Sequence, residues 1–499
     1  MNESISEELT HLLYGTGLIL IGSIFGMGAG FATRVVAARY LTQDGYGQII
    51  LGLTILNIAS VLLLFGLPEG LARQLPRSDH KSEIFQSSIV LNLSVGIMVT
   101  IISLLGANYF RSNLSNLLGD GFYDVLFPFI VSIPLLIVIR ITIGGFRGLG
   151  NSKARVIIRN ITNQGAILLC VILGSMYGVD EFGIASSWLI GMGAGVVVAA
   201  LLLKWHSPLF STSIIATKDF SPGRTLKLVK FSIPLMFAGA GWMLLNQTDN
   251  FLLGVLSNPE SVAVYDTGFS LSQLFLIFPT AFGYLALPLF SKYDSEGSMS
   301  EFRLSYKIIS KWMVLMGFPI YIFILFNPKL VLKLTFGERY IVASPVLRLV
   351  STGIFIHLIG GLNAKSLTAI GRTKLVLIGI AITVVGNAIL NILLIPEFGP
   401  TGAAIASVIS YTILNIYYNY KLYSLTGAHS IHEKIYTPIF VSILTLGMFM
   451  YIIDTLLYIP SSNLVFFALF LLFYPGVIFR LGLSESDKAL LLESLDRNT

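Results

Sequence analysis

One cysteine occurs in 499 residues, and charged side chains make up only 12% of the chain, against roughly a quarter in an ordinary soluble domain. A lone thiol, here Cys170 within an apolar run, excludes an intramolecular disulfide and a cysteine-based metal cluster. Enzyme signatures are missing too. There is no Walker A loop for an ATP-driven pump, no HExxH or Cys/His metal spacing, and no Gly-x-Ser-x-Gly nucleophile elbow. The six histidines are scattered, and every expected outer loop is too short for the carboxylates of a membrane glycosyltransferase. Catalysis, a metal and a cofactor are therefore not expected. Residues 1–15 contain Glu3, Glu7 and Glu8 but no Lys or Arg, so no cleavable signal peptide is expected and the first span reads as an anchor.

Apolar length is what the chain has. Apolar residues make up 55%, or about 274 positions, and mean hydropathy is +0.81. Fourteen membrane helices of about 20 residues would use about 280. The apolar runs predict an all-α polytopic membrane protein of about fourteen transmembrane helices. Residues 1–203 hold the first six, 204–230 a cytoplasmic linker, and 231–423 the next six. Residues 424–499 hold two further helices, at 436–457 and 464–479, and a tail. Of the 32 Lys and Arg residues, 24 fall in even-numbered loops and the C-terminus and six in odd loops. That bias predicts cytoplasmic termini, and it accounts for the net charge of +6 without nucleic acid.

Three short matches recur at one spacing. Leu149-Gly150-Asn151-Ser152-Lys153 resembles Ile370-Gly371-Arg372-Thr373-Lys374, Glu181-Phe182-Gly183 matches Glu397-Phe398-Gly399, and Leu41-Thr42 corresponds to Leu256-Ser257. Each pair follows the same helix of a six-helix set. Two pseudo-symmetric six-helix lobes plus two C-terminal helices are expected, with a substrate site between the repeats.

Polar residues within spans are costly and so are candidates for function. Asn246, Asp249 and Asn250 share one face of the seventh helix, since three- and four-residue spacings align on a helix. Asp266, Ser270 and Gln273 form a stripe on the eighth, and Thr383, Asn387 and Asn391 another on the eleventh. Asn160, Asn163 and Gln164 open the fifth. Interhelical hydrogen bonding remains an alternative role for these stripes. Arg34 and Asp249 lie at equivalent repeat positions and are expected to face each other as a gate or substrate site. Arg348 suits an anionic ligand, because guanidinium pairs with phosphate bidentately. His357 lies on the opposite face and reads as a packed residue. Arg140 and Asp124 lie at predicted span ends, where no role is expected.

The chain resembles the polysaccharide-biosynthesis (Wzx-like) flippases of the multidrug/oligosaccharidyl-lipid/polysaccharide exporter superfamily. The resemblance rests on Phe336-Gly337-Glu338-Arg339-Tyr340, Ala369-Ile370-Gly371-Arg372-Thr373-Lys374, Asn387, Asn391, Ile395-Pro396-Glu397-Phe398-Gly399 and Gly402-Ala403-Ala404-Ile405-Ala406. The N-terminal counterpart is Ala38 to Gly47, with Asp249 on the seventh helix. It implies two lobes around a central cavity in a multi-pass protein of the cell membrane. The implied cargo is a polyprenyl-linked oligosaccharide, moved to the outer leaflet by alternating access. On this resemblance Arg34 and Arg348 hold the phosphate, and Asn246, Asn250, Gln273 and Asn387 meet the sugars. Asp249 and Asp266 exchange H+ or Na+. A monomer in the lipid bilayer is expected, with docking to a glycan polymerase or transferase left open. A cation-coupled multidrug exporter, a peptidoglycan-precursor flippase and a membrane-embedded glycan polymerase or ligase are the alternatives.

Overall fold

A computed structural model describes residues 2–106, 109, 111, 118, 121–151, 153–206, 222–431, 437–445, 470 and 472–482. Among these residues every regular element is helical. Much of the expected helices 436–457 and 464–479, and of the linker 204–230, lies outside the described residues.

The chain begins with α1 (Asn2–Tyr40), α2 (Gln43–Leu64), the short α3 (Leu67–Gln74), α4 (Lys81–Leu105) and α5 (Phe122–Gly148). Then come α6 (Lys153–Tyr177), α7 (Glu181–His206), α8 (Pro222–Leu256) and α9 (Pro259–Ser272). They are followed by α10 (Ile277–Ser295), α11 (Met299–Phe326) and α12 (Pro328–Thr335). The last are α13 (Ser344–Ile359), α14 (Asn363–Ala369) and α15 (Thr373–Thr426). Ten helical segments among the described residues are long and apolar enough to cross a membrane, against the fourteen expected. Part of the difference has a local cause. The expected helices 375–395 and 402–423 run together as α15, broken at Gly399 with φ 55° and ψ −132°. That backbone region is open essentially to glycine alone. The expected helix 231–256 is the later part of α8, which is not among the ten.

The sequence repeats have a conformational meaning. Gly150 and Gly371 both take left-handed φ, 78° and 74°, and each closes a helix. The amide of Asn151 returns to the Phe146 carbonyl and that of Arg372 to the Leu367 carbonyl, the six-residue bond of a glycine C-cap. At the start of α2 the Thr42 side chain accepts from the Gly45 amide, and at the start of α9 it is Asn258, one residue beyond the matched Ser257, whose side chain accepts from the Ser261 amide. Both are N-caps. The third pair diverges, because Gly183 sits inside α7 whereas Gly399 breaks α15.

The faces of α4 show which solvent the helices meet. Phe85, Ser88, Ile89, Asn92, Gly96 and Thr100 are buried, at helical spacing. Ile97, Met98, Ile101, Ile102 and Leu105 are exposed, Leu105 at 82%. The polar groups thus point inward and the outer face is apolar, the reverse of a helix in water and the arrangement lipid requires.

The chain divides into two compact units, Met1–Leu274 with Leu332–Val346 and Leu377–Ser410, and Phe275–Val331 with Leu347–Val376 and Tyr411–Thr499. In the first, α9 packs on α2, α5 on α3 and α7, α1 on α6, and α8 on α2 and α3. In the second, α10 packs on α11 and α14. Its interior holds Tyr306, whose hydroxyl donates to the Gly360 carbonyl at 2.7 Å, and Lys311, whose Nζ donates to the Gly482 carbonyl at 3.1 Å.

Candidate functional site: a cationic cavity and two buried carboxylates

Helices α1, α2, α3, α5, α6, α7 and α8 of the first unit enclose a cavity of about 690 Å3. Five guanidiniums line it: Arg34, Arg140, Arg147, Arg155 and Arg159. Glu69 is the one carboxylate among the lining residues. Asn57, Asn163, Gln164, Asn246 and Gln247 add amides, and Trp188, Met192, Met236 and Met243 an apolar wall. The Arg140 side chain reaches the Asn57 Oδ1 at 3.5 Å and the Met243 sulfur at 3.7 Å. The Asn163 Oδ1 is buried without a hydrogen-bond partner.

Local backbone geometry places the α6 arginines. Residues Val156–Asn163 form a π-helical segment between α-helical turns, a rare form that concentrates at functional sites. Arg155, Arg159 and Asn163 recur every four residues along it and all line the cavity. Helix α1 packs against it. A Cβ on Gly26 would stand 2.9 Å from the Asn160 Cβ, closer than real side chains approach, so glycine permits this contact.

Two carboxylates are buried beside the cavity-lining helices. Asp266 on α9 faces Arg34, with Nε to Oδ2 3.4 Å, and accepts from the Tyr46 hydroxyl at 2.6 Å. Asp249 on α8 is 1% exposed. It accepts from the hydroxyls of Tyr265 and Ser407, each at 2.5 Å, and from the Asn391 amide at 2.7 Å. That amide also reaches the Asn387 Oδ1 at 3.1 Å.

These positions revise several expectations. Arg34 pairs with Asp266, not Asp249, because Asp249 is enclosed by Tyr265, Asn391 and Ser407. Of the expected ligand-binding residues, Arg34 and Asn246 line the cavity, whereas Asn250, Gln273, Asn387 and Arg348 do not. Asn250 and Asn387 are buried, and the Asn250 Oδ1 has no hydrogen-bond partner. Gln273 lies in the turn after α9, its Nε2 buried without a hydrogen-bond partner. Arg348 belongs to the second unit and donates to the Leu325 carbonyl at 3.0 Å. His357, also in that unit, meets the Asn415 Oδ1 at 3.1 Å. Asp124 is exposed and paired with Arg111 at 2.8 Å.

Arg140 is the main correction. It was expected at a span end, but α5 continues to Gly148, five residues past the predicted end, so Arg140 lies well inside the helix. Arg155 and Arg159 likewise stand within α6. A four-residue spacing running from Arg155 through Arg159 to Asn163 was the readable signal. Tyr46, Tyr265 and Ser407 carried none, since hydroxyls in apolar helices are common.

Residues 12–294 match the family described as "Polysaccharide biosynthesis protein", and residues 234–394 match the MatE family. The probable low-salt glycan biosynthesis flippase Agl15 of Haloferax volcanii is 26% identical over 410 residues, 80% of this chain and 82% of that protein. Among solved structures, the lipid II flippase MurJ in an inward closed conformation superposes with a TM-score of 0.68 at 16% identity. The match covers 93% of this chain and 99% of that one. An inward-facing multidrug resistance MATE family transporter gives 0.64 at 16% identity, covering 81% and 96%. Family and fold are those of a transporter rather than a catalytic enzyme. With its apolar helices and its match over residues 12–294, this multi-pass membrane protein belongs to the polysaccharide biosynthesis protein family.

Proposed function

We propose that the chain moves a polyprenyl-linked oligosaccharide, carried on a phosphate or diphosphate, from the cytoplasmic to the outer leaflet of the cell membrane. The charge of the cavity carries this reading. Five guanidiniums against one carboxylate suit a ligand with several negative charges, and arginine forks match phosphate oxygens two at a time. The amides of Asn57, Gln164, Asn246 and Gln247 suit sugar hydroxyls, and Trp188 offers an apolar face to a pyranose ring. Alternating access would come from rocking of the two six-helix repeats, residues 1–203 and 231–423, with both termini cytoplasmic. Asp249 and Asp266 would exchange H+ or Na+ to reset the cycle. The flippase name of the Haloferax volcanii relative supports the same reading. A drug exporter for organic cations would need the opposite lining charge, and so is disfavoured.

The test is to delete the gene and determine which leaflet holds the lipid-linked oligosaccharides. Cytoplasmic accumulation with loss of surface glycan is expected. Complementation with Arg140→Ala should lower flipping by about 10- to 100-fold at normal protein level, the worth of one charge-assisted contact. Unchanged intermediates and glycan in the deletion strain would reject the proposal.

A further inference from the structure

Arg34 stands between a buried carboxylate and the cavity. Its side chain is 31% exposed and lines the cavity, yet its Nε lies 3.4 Å from Asp266, which is fully buried and does not line the cavity. The Asp266 Oδ2 also accepts from Tyr46, whereas Oδ1, equally buried, has no hydrogen-bond partner. The helices and turn around α9 bring several charged or titratable groups near. From α1 come Arg34 and Arg39, from α2 Asp44 and Tyr46, from α8 Asp249, and from the turn Glu338–Ala343 Glu338, Arg339 and Tyr340. Most are engaged elsewhere. Arg39 donates to the Thr335 carbonyl, Asp44 accepts from Gln48, Glu338 pairs with Lys333, and Arg339 donates to the Leu41 carbonyl. Asp249 is closed within its own network, and the buried Tyr340 hydroxyl has no partner. Among the described residues, Arg34 is the one cation in ion-pair contact with Asp266.

We propose that Arg34 is shared between Asp266 and the anionic group of the transported lipid, so that docking of the anion in the cavity drives uptake of one proton by Asp266. The proposal rests on the anion-binding reading of the cavity. When a phosphate engages the guanidinium, Asp266 loses its counter-ion in a site sealed from water, where an isolated charge is strongly disfavoured. Oδ1 then takes a proton supplied by the buffer, while Tyr46 keeps its bond to Oδ2. The charges balance: a neutral Arg34–Asp266 pair becomes an Arg34–phosphate pair beside a neutral acid, with one proton bound for each anion. Binding that takes up a proton tightens as pH falls, by at most about tenfold per pH unit. Asp266 and Tyr46 are thus positioning residues that act through Arg34.

The probe is inorganic sulfate, which keeps both charges near neutral pH and contributes no titration of its own. Calorimetric binding to the purified full chain in detergent, repeated in buffers of different ionisation enthalpy, counts the protons bound. Wild type should take up about one proton per sulfate, at a pH where the Asp266 carboxylate is ionised in the free protein. Asp266→Asn should take up about none and bind sulfate several-fold tighter at about pH 8, because Arg34 is released; a purely structural residue would not give that gain. Tyr46→Phe, which removes one donor to the carboxylate, should move the onset of proton uptake to higher pH. Sulfate binding to wild type without proton uptake at any pH tested, or with equal uptake in Asp266→Asn, overturns this inference and leaves the cavity reading standing. Failure of sulfate to bind wild type at all overturns both.

Discussion

Ser407 completes the enclosure of Asp249, donating to Oδ2 at 2.5 Å while its oxygen also lies 3.2 Å from the Tyr265 hydroxyl. A hydrogen bond to a charged acceptor contributes about 1.5–3 kcal/mol, so Ser407→Ala should weaken whatever holds Asp249 ionised by about tenfold or more. The expected outcome, read in proteoliposomes under imposed gradients, is transport that needs a higher Na+ concentration if Na+ is the coupling ion, and that proceeds at a higher pH, a lower proton concentration, if H+ is. Ser407→Thr, which keeps the hydroxyl, should restore the wild-type dependence. If Ser407→Ala kept wild-type cation dependence, Asp249 would have no part in coupling. At this scale the sequence was only partly informative. Asp249 stood out because a carboxylate in an apolar run needs a reason to be there. Of its donors only Asn391 stood out, in its stripe with Thr383 and Asn387; that it meets Asp249, with Tyr265 from α9 and Ser407 from α15, did not, because no spacing in the chain reveals which turns of separate helices come together. Arg140 shows the complementary error. Hydropathy ended α5 where its apolar run thinned, but the helix continues to Gly148, since backbone hydrogen bonding continues past the last lipid-facing residue.

At the scale of the element, the helix ends were the most legible features. The matched Leu-Gly and Ile-Gly motifs are C-caps whose glycines adopt left-handed φ, and local chemistry of that kind is written in adjacent residues. The π-helical segment of α6 was not legible, because its residues have no distinctive composition; the segment is fixed by how α6 packs against α1 and α7. It sets the angular position of Arg155 and Arg159 relative to Asn163 and Gln164. Deleting Ile161, which is 46% exposed, would remove one residue from the wide turn and let α6 run as a regular α-helix. Because the tighter α-turn absorbs most of the roughly 100° that one residue spans, Arg155 and Arg159 turn by some tens of degrees relative to Asn163, off the line the three side chains share along the cavity. Membrane insertion and protein level should be retained, with flipping reduced in a leaflet-accessibility assay. Wild-type flipping by the deletion variant would show that the angular placement of these arginines is not required.

At the scale of the whole molecule, the apolar total decides the class, and the charge bias of the loops predicts the orientation. Orientation follows from a summed electrostatic preference of Lys and Arg for the cytoplasmic side, so no single residue encodes it. The sequence offers a clean way to test it, because Cys170 is the one cysteine and Cys170→Ser leaves a background without thiols. On that background Asp79→Cys, just before α4, and Lys329→Cys, in α12, place a thiol at exposed positions in loops of opposite predicted side. In intact cells a membrane-impermeant maleimide should label Lys329→Cys and spare Asp79→Cys, and lysis should expose both. The same two thiols also test the link between orientation and cargo. On the predicted orientation, a cavity whose arginines extend to Arg147 and Arg155, near the ends of α5 and α6, would be positioned to receive the proposed phosphate from the cytoplasmic leaflet. If labelling put Asp79→Cys outside, those arginines would face the outer leaflet, and the proposed direction of transport would have to be reversed.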